Sequence, residues 1–320
     1  MSTTTITKSP TEAPPAPLAP PAPPRAFIRR HPVLVYYALT VAISWGGVAL
    51  VAGPLGVSGG AALLVGLFLA QAAGPTTASL VLTGVLDGRA GYRDLLARLT
   101  RWRVAPRWYA AALLLNPFAL LVVLGGLGLA SPAYLPGVLT GDHPLARAMG
   151  LASATPAVVV GLALAFGLAA GFFEELGWTG FATPRLLARH GWLAAGLALG
   201  LLWAAWHIGP DRPGTAAAWG DRWPWRVLTW MFAGMVPYRV LMTWVYGHTR
   251  SVLLAVLMHA AYTGGQVLLA PGGTGQTQDL LWWGLLGLAR GAVAGLVALA
   301  DRAHLLRPAP GQQGWCAPAG

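Results

Sequence analysis

The sequence predicts an all-α polytopic membrane helical bundle of about eight transmembrane helices, and three observations predict it. Hydrophobic residues make up 56% of the 320 residues and charged residues only 10%, against about 25% charge in a soluble domain. A chain this poor in charge, with a mean hydropathy of +0.59, cannot clothe a water-facing surface, so lipid is the solvent for much of it. Second, apolar runs close to the length of a span recur along the chain. Third, arginine concentrates in alternate loops, as the positive-inside rule requires.

In chain order, residues 1–30 read as a disordered Pro/Ala-rich cytoplasmic tail with no signal-peptide h-region. A multi-pass membrane domain is expected over 31–305 and a flexible tail over 306–320. The apolar runs fall at 32–53, 60–86, 108–130, 156–184, 192–209, 225–247, 251–270 and 280–300. The fourth is long enough to continue as a helix to Arg189, and the short, Gly/Ala-rich fifth is expected inside the bundle. Tyr92 to Tyr109 mixes Leu, Trp and Arg, which predicts an amphipathic helix on the inner surface; a cytoplasmic loop anchored by tryptophans is the alternative. With the N-terminus inside, inner segments carry 15 of the 21 Lys and Arg residues and outer segments 4, while Arg239 and Arg290 fall within spans. The bias predicts a cell-membrane protein with both termini cytoplasmic.

The net charge of +11 has no clustered basic face, so nucleic acid is not expected as a partner; the lipid bilayer is. The lone cysteine, Cys316, rules out an intrachain disulfide and a Cys-based zinc site. Four residues follow it, so it is not a prenylation box. Twenty arginines to one lysine, with abundant Ala, Gly and Pro, point to a GC-rich genome, and a bacterial source is expected.

Ionisable groups inside spans cost about 3 kcal/mol each on insertion scales, which makes them functional candidates. They are Glu174, Glu175, His207, Arg239, His259 and Arg290. At 1.5 Å per residue, Glu174 lies about 16 Å from Arg185, His259 about 12 Å from Ser251, Arg239 about 18 Å from Ser251 and His207 about 24 Å from Gly191. His207 is thus out of step with the others. Adjacent carboxylates differ by about 100° on a helix, so one of the glutamates can face a cavity while the other makes a structural contact. Two chemistries suit a carboxylate and two histidines. The carboxylate can act as general base on a water that a histidine orients, or Glu174, His207 and His259 can hold a divalent metal such as zinc with a position open for water. The competing structural readings are ion pairs of the glutamates with Arg239 or Arg290, and histidines serving only as helix–helix partners.

Three segments carry a resemblance. Phe172-Phe173-Glu174-Glu175-Leu176-Gly177-Trp178-Thr179, running on to Pro184-Arg185, resembles the Glu-Glu-x-x-x-Arg motif of the CPBP family. Trp203-Ala204-Ala205-Trp206-His207 resembles its Phe-x-x-x-His motif, and His259 to Thr263 its His-x-x-x-Asn motif. The family contains type II CAAX prenyl endopeptidases and bacteriocin-processing or immunity proteins. The resemblance covers about 158–265 and implies an intramembrane endopeptidase acting on a peptide or protein substrate at or in the membrane. It implies that Glu174, beside Glu175, and His207 activate the hydrolytic water, with His259 and Thr263 near the oxyanion. Two positions depart from the pattern: Thr179 stands at the Arg place and Thr263 at the Asn place. Thr179 brings no positive charge, so Arg239 is expected to supply it from the sixth span, and Arg290 is not. Two further readings stay open: a non-catalytic family member acting as a binding, scaffold or immunity protein, and a small transporter using a Glu/His proton relay.

Overall fold

The computed structural model describes residues 24–53, 59–151 and 155–302. Among these residues the protein is helical with no strand. The two expected tails and Cys316 lie outside the described residues, except that Pro24–Arg30, placed in the tail by sequence, forms a short helix.

Eight long helices follow: α1 Pro32–Ala52, α2 Ala61–Leu99, α3 Pro106–Ala130, α4 Pro156–Gly177, α5 Trp192–Trp219, α6 Gly234–Thr249, α7 Val252–Leu268 and α8 Gln276–Ala300. Proline at the first helical position opens α1, α3 and α4, where its missing N–H costs nothing and its fixed φ suits the helix. The Thr155 and Ser251 hydroxyls cap α4 and α7 by accepting from Val158 and Leu254 N–H. Six helical segments are long and apolar enough to cross a membrane, so the chain is a multi-pass membrane protein. α7, at 17 residues, is shorter, and α6 is preceded by a π-helical stretch, Val227–Ala233, and carries the buried Arg239. The apolar window of α5 is 44% buried, against 22–28% in the other five candidates, in keeping with an inner position.

Two local features differ from the sequence reading. The amphipathic helix expected over 92–109 is divided. Gly88 adopts φ 59, ψ −146 and breaks α2, the chain continues helically to Leu99, and a new helix starts at Pro106. Only a residue without Cβ takes that backbone readily. The fourth run stays helical to Leu187, but through a π turn at Trp178–Ala182 that directly follows the glutamate pair.

Close backbone approaches set the positions of the functional helices. A Cβ on Gly171 would lie 2.4 Å from the Val256 carbonyl, and one on Gly167 2.6 Å from that of Ala260. α4 and α7 therefore touch through backbone, which brings His259 against the glutamates. Gly196 and Gly200 meet Val240 and Val236 in the same way, at 2.8 and 3.0 Å from their Cα atoms. That contact seats α5 on α6, with Trp203 beside Arg239.

Candidate active site

The two glutamates point apart and have unlike surroundings. Glu175 is fully buried, and both of its oxygens are used. Oε1 accepts from Arg239 Nη2 at 2.8 Å and meets His259 Nδ1 at 2.7 Å. Oε2 accepts from Arg239 Nη1 at 2.8 Å and from the Thr179 hydroxyl. Burial of two charges is offset only when their geometry and remaining hydrogen bonds are good; the two-pronged contact supplies the geometry, while Arg239 Nε finds no hydrogen-bond partner among the described residues. The guanidinium also lies over the Trp203 ring, 4.2 Å from its centroid. Arg239 thus pairs with Glu175 and makes no ion pair with Glu174 among the described residues. Thr179 contributes a neutral donor to the same carboxylate.

Glu174, 5% exposed, accepts one hydrogen bond among the described residues, from Trp203 Nε1 at 2.9 Å to Oε2. Its Oε1 lies 3.8 Å from His259 Nε2, a separation at which a bridging water has to be considered. With Nδ1–H donating to Glu175, the Nε2 of a neutral His259 is an acceptor aimed toward Glu174.

His207 sits one turn beyond Trp203 on α5. Its Nδ1 is 2.8 Å from the Trp203 carbonyl, which fixes the tautomer and leaves Nε2 as the basic nitrogen. Its ring packs against Trp206 and Trp203, with centroids 4.7 and 5.5 Å apart. Among the described residues it bonds neither glutamate directly, so the structure gathers Glu174, Glu175, His259 and Arg239 by direct contacts, with His207 reaching them through Trp203. Thr263 lies one turn along α7 from His259 and is half-buried, as is His207.

For the divalent metal considered for Glu174, His207 and His259, each side chain keeps one donor atom free, the other being held by Trp203, the Trp203 carbonyl and Glu175 respectively. The three are not gathered around one point, however: among the described residues no group of three His, Cys, Asp or Glu side chains is placed to hold an ion.

Arg290, the other intramembrane arginine, belongs to a neighbouring cluster. It donates to the Gly234 carbonyl at 2.8 Å and to Asn116 Oδ1, and lies over the Tyr262 ring at 4.7 Å. Asn116 in turn donates to the Ala261 and Tyr262 carbonyls, both at 3.2 Å. The sequence assigns Trp203 only an aromatic place in its motif; its indole N–H, bonded to Glu174, is a feature the motif does not signal.

The segment that carries these residues is similar to known proteins. Residues 156–264 match a family model described as type II CAAX prenyl endopeptidase Rce1-like. A protein of Methanococcus maripaludis named CAAX prenyl protease 2 is 29% identical over 106 residues, covering 32% of this chain and 39% of that protein. The match therefore spans well under half of the relative's length. This segment, which holds the three motifs in order with the second and third meeting around the glutamate pair of the first, is thus similar to the type II CAAX prenyl endopeptidase Rce1-like family.

Proposed function

We propose that the protein is a membrane-embedded endopeptidase that hydrolyses a peptide bond with a water activated by Glu174. The observation that carries this reading is the inequality of the two glutamates. Glu175 has both oxygens engaged by Arg239, Thr179 and His259, whereas Glu174 keeps one oxygen without a hydrogen bond among the described residues, opposite His259 Nε2 at 3.8 Å. A general base needs a free lone pair, a fixed orientation and a shielded setting, and Glu174 has all three.

In this mechanism Glu174 Oε1 takes a proton from water while the oxygen attacks the substrate carbonyl. Trp203 Nε1–H holds the other carboxylate oxygen and so fixes the plane of the base. His207 Nε2 accepts from the same water and orients it. The Thr263 hydroxyl donates to the developing oxyanion, and the proton passes from Glu174 to the leaving amine, yielding a carboxylic acid and an amine. The substrate is a peptide or protein segment at or in the bilayer, and the protein resides in the cell membrane with both termini cytoplasmic.

The test is cleavage of a diverse fluorogenic peptide library by protein purified into nanodiscs, beside Glu174→Gln. Cleavage by the parent and its loss of at least a thousandfold in the variant support the reading. Absence of Glu174-dependent cleavage in folded protein sinks it and leaves a peptide-binding or scaffold role within the family.

A further inference from the structure

The helical segment between Gly88 and Leu99 lies outside the stretch matched to the family, yet it reaches the motif helix at one point. Leu95 packs on Gly180, where an added Cβ would lie 2.7 Å from Leu95 Cδ1. Arg98, with a side chain only 12% exposed, divides its donors three ways. Nε bonds Asp94 at 2.7 Å, Nη1 the Tyr246 hydroxyl at 3.0 Å and Nη2 the Gly180 carbonyl at 3.0 Å. Gly180 is the middle residue of the π turn. A π turn is wider than an α turn and disturbs the regular carbonyl ladder. Side-chain donors also reach this turn: the Thr183 hydroxyl bonds the Trp178 carbonyl at 2.7 Å, and Arg98 bonds that of Gly180.

The placement of the two acceptors gives this contact its meaning. Gly180 follows Glu175 on the same continuous helix. Tyr246 is seven residues, two full turns, from Arg239 on α6 and so shares its face. Arg98 therefore joins the same two helices that the Glu175–Arg239 pair joins, about 10 Å further along. We infer that Arg98 is a positioning residue for the glutamate pair: by bonding the π turn and α6 at once, it sets the spacing at which Glu175 meets Arg239 and Glu174 meets Trp203. Neighbouring Arg101 is exposed and its side chain makes no such bridge, so the role belongs to Arg98 and not to the basic stretch in general. The inference deepens the proteolytic reading and rests on it for its catalytic consequence.

The experiment uses the full chain in nanodiscs as the parent, Arg98→Lys, Arg98→Gln and Arg101→Ala, with kcat and KM measured separately and hydrogen exchange followed by mass spectrometry over 174–187 and 239–250. Arg98→Gln is expected to lower kcat at least tenfold with KM within twofold. Lys, which keeps the charge but not the fork, should fall between, and Arg101→Ala should match the parent. Exchange should rise in both segments for Arg98→Gln. An unchanged kcat, or a raised KM at constant kcat, overturns the inference. If the parent shows no Glu174-dependent cleavage, the proteolytic reading fails by itself, and exchange decides the bridge: a rise in both segments supports it, and no rise removes it.

Discussion

Removing Arg239 isolates a buried charge, and the size of the effect follows from what surrounds Glu175. Arg239 and Glu175 are both fully buried and share two contacts of 2.8 Å. In Arg239→Met the carboxylate stays inside with only Thr179 and His259 as donors. Breaking a buried pair from one side costs about 3–5 kcal/mol, whereas removing both charges together is often neutral. Arg239→Met is therefore expected to lose about 3–5 kcal/mol, and Glu175→Gln to lose a comparable amount by stranding the guanidinium. The double variant should recover most of the loss. Arg239→Lys should sit between, since a point charge cannot reproduce the two-pronged contact. Arg290→Ala serves as the contrast. It gives up bonds to Gly234 and Asn116 and loses stability, but cleavage per folded molecule should persist because it touches neither glutamate. Unfolding in detergent, followed by denaturant titration, measures each corner of the cycle. A cost below about 1 kcal/mol for Arg239→Met, which is the range of exposed pairs, or a double variant as unstable as the sum of the singles, would refute the reasoning.

Two further predictions concern catalysis. Trp203→Phe removes the N–H that holds Glu174 while keeping an aromatic ring beneath Arg239. A hydrogen bond to a charged group contributes about 1.5–3 kcal/mol, so kcat should fall by about 10- to 100-fold with little change in folding, and a loss under threefold would show that Trp203 only packs. Thr263→Val deletes the hydroxyl assigned to the oxyanion and should cost about 10²–10³ in kcat, whereas Thr263→Asn, which restores a donor, should retain activity; equal rates for Val and Asn would remove Thr263 from the mechanism.

How far the site was legible in the sequence can be judged by depth. Counting 1.5 Å per residue put Glu174 about 16 Å and Arg239 about 18 Å from their helix ends, and the structure places Arg239 on the adjacent Glu175. The same count left His207 out of step at about 24 Å. That mismatch was informative. Twelve residues separate Gly191 from Trp203, about 18 Å, so the residue of α5 in register with the glutamates is Trp203, and it is Trp203 that bonds Glu174. The eight apolar runs each correspond to a long helix because hydropathy and span length are properties of single segments. The break at Gly88, the π turn and the bridge from Arg98 to Gly180 depend on contacts between segments; residues 98 and 180 are 82 positions apart. No periodicity records such a pairing. The charge missing at Thr179 illustrates the limit. Its absence was plain in the motif, but the sequence did not say that the replacement is divided, with one arginine on the carboxylate of Glu175 and a second on the backbone one residue beyond Thr179. Depth arithmetic finds the first because α4 and α6 both cross the bundle, and misses the second because the helix that carries Arg98 begins after a break in α2 and has no depth to count.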